Sequence, residues 1–480
     1  MNANPQMSAA AVESAQDFHL LIGGQLVAGA RSLAVINPAT GKVFATAPCA
    51  DAAQLDQAVA AAKAAYKQWS RTSWEHRRGL LQKLADALAA AIPDFARLLT
   101  REQGKPLPQA MGELYGSVAI LKGLAELSAP EQVLRDDANA RIVRQFSPLG
   151  VVAAITPWNF PLILLMTKVA PALLAGNTLI IKPAPTTPLT TLRFGELCAQ
   201  ILPAGVVNVI TDQNDLGDLL TRHPDIAKVA FTGSSATGRK VMASAAGTLK
   251  RLTLELGGND AAIVLPGTDP AEVAPKLFDG AMTNCGQVCL AIKRIYVHAD
   301  QYDAVCNELA KLADAAIVGN GLDQGTQIGP LQNRMQYEKV KELIADSATR
   351  GKVIAGGKTF AGDGYFIAPT IVRDIADDAR LVREEQFGPV VPVLKYTDLD
   401  DAIARANSTD YGLGGTVWGD PARAFAVASR FESGTVWINK HLDLPPDVPF
   451  GGAKGSGFGV EMGDDGLQEF MQARVINSQH

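Results

Sequence analysis

Apolar residues recur at helical spacing through residues 51 to 127. The alanine-rich stretch Asp51 to Trp69 and the stretch Trp74 to Ala90 each predict a helix with one buried face. Beyond them the period changes. Gly150 to Thr156 is a short apolar run of strand type, followed by a helical pattern from Leu162 to Ala175. Thr178 to Lys182 predicts a second strand and Leu189 to Ile201 a second helix. Val206 to Ile210, Ile226 to Phe231 and Arg251 to Glu255 continue the series, with helical segments between them. Apolar strands alternating with helices predict a parallel sheet covered on both faces. Such sheets bind ligands beyond the carboxyl ends of their strands, and Thr156, Lys182 and Phe231 fall at such ends.

A second alternation occupies about 260 to 440. Ala261 to Leu265, Ile295 to His298, Val390 to Leu394 and Gly434 to Ile438 predict strands, and Gln301 to Val318 and Met335 to Arg350 predict helices. Two α/β units follow. The alternation around Ala140 to Pro148 and the last residues, Phe470 to Ser478, predict strands outside both sheets.

Length agrees with this division, because 480 residues exceed what one hydrophobic core supports. A hydrophobic fraction of 47% and a charged fraction of 19% describe an ordinary soluble globular chain. The formal charge of −5 gives no electrostatic case for nucleic acid or an anionic membrane. No apolar run reaches the ~18 residues of a membrane span. The first Lys or Arg is Arg31, so the N-terminus reads as a disordered leader without a signal or transit peptide. Five cysteines without framework spacing fit a reducing cytoplasm, and six scattered histidines predict no metal site.

Candidate chemistry gathers at a few points. Asn284-Cys285-Gly286-Gln287-Val288-Cys289 places a thiol behind residues that allow close backbone approach. A helix starting there would bring free amides to the sulfur. An isolated cysteine is ordinarily inert and buried, and Cys285 is open to packing or to a redox role with Cys289. Glu255 ends a predicted strand ahead of Leu256-Gly257-Gly258, where a solvated charge is the ordinary expectation. Asn159 lies in Thr156-Pro157-Trp158-Asn159-Phe160-Pro161, where helix capping is the ordinary role. Phe231-Thr232-Gly233-Ser234-Ser235-Ala236-Thr237-Gly238 joins a strand to a helix start, a place suited to phosphate. Its glycine spacing is not the G-x-G-x-x-G fingerprint.

Taken in order, Pro157 to Pro161, Leu254 to Gly258, Gly286 to Cys289, Glu385 to Pro389 and Pro449 to Gly452 resemble the aldehyde dehydrogenase superfamily, from about residue 20 to the C-terminus. The resemblance implies an α/β fold of three parts. A Rossmann-type NAD(P)-binding domain would take residues 1–126 and 146–256, a second α/β catalytic domain 257–455, and a small oligomerisation element 127–145 and 456–480. It implies Cys289 as the nucleophile, Glu255 as the base that activates water, and Asn159 as the oxyanion donor with the Cys289 amide. Losing one such donor costs roughly 10²–10³ in rate. Cofactor contacts would come from Ile155, Thr156, Pro157, Trp158, Lys182, Pro185, Phe231, Gly233, Ser234, Leu256, Glu385 and Phe387, with Lys182 on the adenosine ribose and Glu385 and Phe387 at the nicotinamide end. The resemblance also implies a carboxylic acid product and a second copy of the chain as partner, in a homodimer or homotetramer.

Two positions depart from the pattern. Many NAD-preferring members carry a glutamate three residues after the lysine, where this chain has Pro185, so the element that repels NADP is missing. NAD is the expected cofactor, with NADP possible. Members that bind succinate semialdehyde use arginines where this chain has Thr167 and Thr283. A buried carboxylate without a cation is costly. Phe160, Ile163, Leu164, Val288 and Leu290, with His441 at the mouth, instead predict an apolar channel for an aliphatic or aromatic aldehyde. The rival readings are a succinate-semialdehyde enzyme, a CoA-acylating dehydrogenase, a cofactor-free thioesterase and a non-catalytic structural protein.

Overall fold

The computed structural model describes residues 17–479, so most of the expected leader lies outside the described residues. The helical stretch after residue 51 forms four helices: Ala52–Trp69, Trp74–Ala90, Ile92–Gln103 and Leu107–Ala125. Asp51 and Ser73 cap the first two, accepting from the amides of Gln54 and His76.

Strands Val207–Val209, Thr178–Lys182, Val151–Ile155, Ile226–Thr232 and Arg251–Glu255 lie side by side and parallel in that order. Chain order reverses between Val151–Ile155 and Ile226–Thr232, which makes a topological switch point at their carboxyl ends. The first three of these strands are buried along their whole length because helices cover both faces. Register aligns Ile155 with both Lys182 and Phe231, and Thr232 with Glu255. The predicted cofactor and base residues therefore share one edge. The sheet is extended by two N-terminal strands, Leu20–Ile22 and Gln25–Val27, and on the other side by Gly457–Phe458. That last pair comes from the segment expected in the oligomerisation element.

The second sheet runs Lys352–Ala355, Thr370–Arg373, Val390–Tyr396, Arg294–His298, Ala261–Val264, Gly414–Trp418, Thr435–Ile438. Gly414–Trp418 is an interior strand, parallel to and paired with Ala261–Val264 on one side and Thr435–Ile438 on the other. Its start, Gly414-Gly415, carries no side-chain alternation, so the residue pattern did not announce it. The helix expected over Gln301 to Val318 is shorter, Tyr302–Ala315. A third, antiparallel sheet joins Met471–Gln479, Ala140–Pro148 and Glu131–Asp136. It exposes Val133, Leu134, Val475 and Ile476. No described helix is long and apolar enough to cross a membrane.

Candidate active site

The segment Leu256 to Asp260 crosses from the first sheet to the second, and the crossing lays Gly258 against the Cys289 backbone. Gly258 passes so close to the Cys289 carbonyl that a Cβ there would stand 2.5 Å from its oxygen. Ahead of the thiol, helix Pro270–Met282 ends in three consecutive left-handed residues: Asn284 (φ +51°), Cys285 (φ +59°) and Gly286 (φ +69°). A side chain at Gly286 would collide with the Gly388 carbonyl. No helix begins at Cys289, contrary to the expectation from sequence. The left-handed run reverses the chain, and residues 287–293 continue as turns. Cys285 packs into the core of the second sheet, while Cys289 is half-buried against the first core.

Without a helix terminus, the thiol has little to favour its anion. Burial pushes the Cys289 pKa up to about 12, with Asp260, Glu385 and Glu255 adding to the rise and Lys293 opposing it. Lys293 is buried and donates to the carbonyls of Val288 and Cys289 at 2.8 and 2.5 Å, so it braces the turn that carries the thiol. Asp260 lies beneath the same turn, its pKa raised to about 7 chiefly by burial. The sequence reading singled out neither residue.

Asn159 is buried and does not cap the following helix. Its Nδ2 donates to the Gln287 carbonyl at 3.0 Å, and its own carbonyl accepts from Asn284 Nδ2 (3.0 Å) and Lys105 Nζ (2.9 Å). The other Nδ2 hydrogen of Asn159 has no acceptor among the described residues. Capping of helix Ile163–Ala175 falls to Glu113, whose carboxylate accepts from the amides of Leu162 (2.9 Å) and Ile163 (3.3 Å). Glu113 also pairs with Lys105 at 2.6 Å, both fully buried. The Lys105 ammonium lies 3.6 Å from the Phe160 ring centroid. Gln109, on the same helix as Glu113, accepts from the Asn284 amide at 3.1 Å. Glu113 had a signal in the sequence: it falls among Ala110, Leu114, Ser117 and Leu121, on the buried stripe of its helix.

Glu255 is buried, and neither carboxylate oxygen has a hydrogen-bond partner. Burial raises its pKa well above the carboxylate range; Glu461 raises it further, and Lys168 opposes the rise. Lys168 is itself engaged, with Glu461 at 2.6 Å and Thr232 Oγ1 at 2.7 Å.

The rest of the edge carries unpartnered polar groups and an open helix start. Thr156 Oγ1 and Thr186 Oγ1 are buried without partners, and Pro185 lies beside the latter, half-buried. Phe231 is buried beneath Gly233, and exposed Ser234 caps helix Ser235–Ala245, leaving first-turn amides open. Ile155 and Leu256 are buried behind this edge, and Pro157 and Trp158 are half-exposed along it. Lys182 Nζ pairs with buried Asp212 at 2.6 Å. Glu385 Oε1 accepts from the Gly258 amide at 2.9 Å. Phe387 takes a left-handed φ of +50° and meets Trp158 edge-on, with centroids 5.3 Å apart. Gln336 holds that loop by donating to the Gln386 and Phe387 carbonyls. Open amides, orphaned hydroxyls and a cation in one line suit a nicotinamide dinucleotide.

Of the predicted channel residues, Phe160, Ile163 and Leu164 are partly exposed, whereas Val288 and Leu290 are buried in the first core. The Thr167 and Thr283 hydroxyls donate to the carbonyls of Leu164 and Asp279, within their own helices. His441 Nε2 donates to the Leu290 carbonyl at 2.7 Å, and the ring packs edge-on against Trp437. Burial holds its pKa down to about 4, so the imidazole is neutral.

A doubly wound parallel sheet beside a second α/β unit is the architecture of a dinucleotide-dependent oxidoreductase. Residues 27–476 match the aldehyde dehydrogenase family, and the chain belongs to that family, whose reaction is NAD(P)-dependent oxidation of an aldehyde. It is 39% identical to phenylacetaldehyde dehydrogenase of Pseudomonas fluorescens, over 95% of each chain. An aldehyde dehydrogenase of Bacillus cereus solved with NAD+ superposes with a TM-score of 0.94 at 34% identity, covering 97% of each chain. An NADP-dependent enzyme of E. coli gives 0.94 at 34% identity, covering 96% of this chain and 98% of that one.

Proposed function

We propose that this chain oxidises an apolar aliphatic or arylaliphatic aldehyde to its acid through a thioester on Cys289. The observation that carries the reading is the Glu255 carboxyl, buried without a partner and acting electrostatically on the Cys289 thiol. A partnerless buried acid costs stability, and a role in proton transfer explains its presence.

Cys289 adds to the aldehyde carbonyl. Because burial raises the Cys289 thiol, its proton must leave to solvent as the bond forms. The free hydrogen of the Asn159 amide and the Cys289 N–H receive the oxyanion. The bound dinucleotide, held along Thr156, Lys182, Ser234, Glu385 and Phe387, supplies the two-electron acceptor. Glu255, in its ionised form, then removes a proton from water, and the hydroxide attacks the thioester; the expelled thiolate takes that proton back, leaving the acid and the free thiol. This base supports hydrolysis over transfer to CoA.

Phe160, Ile163 and Leu164 favour an apolar substrate, and the engaged hydroxyls of Thr167 and Thr283 offer nothing to a second carboxylate. Similarity to a phenylacetaldehyde dehydrogenase agrees with that choice. The exposed Val133, Leu134, Val475 and Ile476 of the small sheet support a homo-oligomer, which sedimentation of the purified protein tests; a monomer would refute it. The test of the reaction is absorbance at 340 nm with phenylacetaldehyde, hexanal and succinate semialdehyde, without CoA. Turnover is expected with the first two and absent in Cys289→Ala. Preference for succinate semialdehyde would refute the substrate reading, and normal turnover by Cys289→Ala the nucleophile.

A further inference from the structure

The strand Thr178–Lys182 ends on Lys182, and Val207–Val209, its parallel neighbour, is followed three residues later by Asp212. The two side chains meet at 2.6 Å, the carboxylate fully buried and the ammonium nearly so. The second carboxylate oxygen accepts from the Leu216 amide at 3.0 Å, which fixes the group's orientation. Both residues lie on the carboxyl edge that bears the open helix N-terminus at Ser234, on the opposite flank of the switch point.

In doubly wound folds an acidic side chain at such a strand end bonds the ribose 2′-hydroxyl of NAD, whereas a free cation accommodates the 2′-phosphate of NADP. Here the cation is not free. Its charge is cancelled by Asp212, and a phosphate approaching Lys182 must also approach a desolvated carboxylate that cannot turn away. A neutral ribose meets no such repulsion, and its hydroxyls can accept from the remaining hydrogens of the Lys182 ammonium. Pro185 offers no charge, so the sequence by itself leaves the choice of cofactor open.

We propose that Asp212 is the residue that selects NAD over NADP, through its fixed pairing with Lys182. The assignment rests on the dinucleotide reading above. Charge repulsion of this kind acts through differential binding. Removing one buried negative charge beside a 2′-phosphate shifts the ratio of dissociation constants by roughly 10- to 100-fold.

The experiment is isothermal titration of NAD+ and NADP+, and of 5′-ADP and 2′,5′-ADP, into the wild-type protein, Asp212→Asn and Asp212→Ser. Two replacements are carried so that misfolding of one leaves the other to read. Wild type is expected to bind NAD+ at least about tenfold more tightly than NADP+. Both variants should narrow that gap, chiefly by tightening NADP+, and the ADP pair should follow. A general disturbance of the site would weaken all four ligands alike. An unchanged ratio in folded variants, or a wild-type preference for NADP+, overturns the assignment alone. Failure of wild type to bind either dinucleotide overturns it together with the cofactor reading beneath it.

Discussion

Replacing Lys105 with methionine removes the cation that holds the Asn159 turn from below. Lys105 and Glu113 are both fully buried and 2.6 Å apart, and between them they touch Asn159, Phe160, Leu162 and Ile163. Removing one partner of such a pair costs about 3–5 kcal/mol, because the other charge stays buried and uncompensated. Part of that cost is relieved by moving the turn, and the Asn159 amide moves with it. Loss of one oxyanion donor is worth roughly 10²–10³ in rate, which sets the ceiling for Lys105→Met if it acts through Asn159. The assay is a double-mutant cycle on kcat/KM with Asn159→Ala, alongside thermal inactivation half-lives. We expect Lys105→Met to lower kcat/KM by about 10- to 1000-fold alone and by less than about threefold in the Asn159→Ala background. Lys105→Met/Glu113→Gln, which leaves no uncompensated charge, should regain most of the lost half-life. Multiplicative losses in the cycle would show that Lys105 does not work through Asn159.

Glu255→Gln should retain a single burst of reduced cofactor and lose steady-state turnover by at least about 100-fold, the scale of general-base catalysis, read by stopped flow at 340 nm. Because the Glu255 carboxyl is raised by burial, its folded form holds the proton more strongly than the unfolded chain does. Its ionisation therefore costs stability as pH rises, and the glutamine variant should melt no lower than wild type at pH 8; a lower melting temperature would count against a partnerless carboxyl. Alkylation of Cys289 by iodoacetamide should accelerate steadily from pH 7 to pH 10, since the thiol titrates near 12. A plateau below pH 8 would mean that the resting thiol is already ionised.

Much of this protein is written in local pattern. The strands ending at Ile155, Lys182, Thr232 and Glu255 were legible because parallel strands buried on both faces are short apolar runs between helices. The candidate site was legible only as motifs, Asn159, Glu255 and Cys289 among them, since their meaning came from order and residue type. What the chain could not announce locally is whatever depends on a neighbour far away in sequence. Gly414–Trp418 is an interior strand only because Ala261–Val264 and Thr435–Ile438 flank it. Glu113 is a cap because the amides at the start of another helix, 49 residues on, are left without acceptors of their own. The reversal ahead of Cys289 needs a glycine at 286 because the Gly388 carbonyl, distant in sequence, closes against it. Lys182 and Asp212, 30 residues apart, become one neutral unit only when parallel strands bring their ends together. Local sequence determines which segments are helix or strand and which residues carry chemistry, because both depend on side-chain type and spacing. Tertiary structure decides charge state, partner and orientation, because burial and electrostatics are properties of the assembled interior.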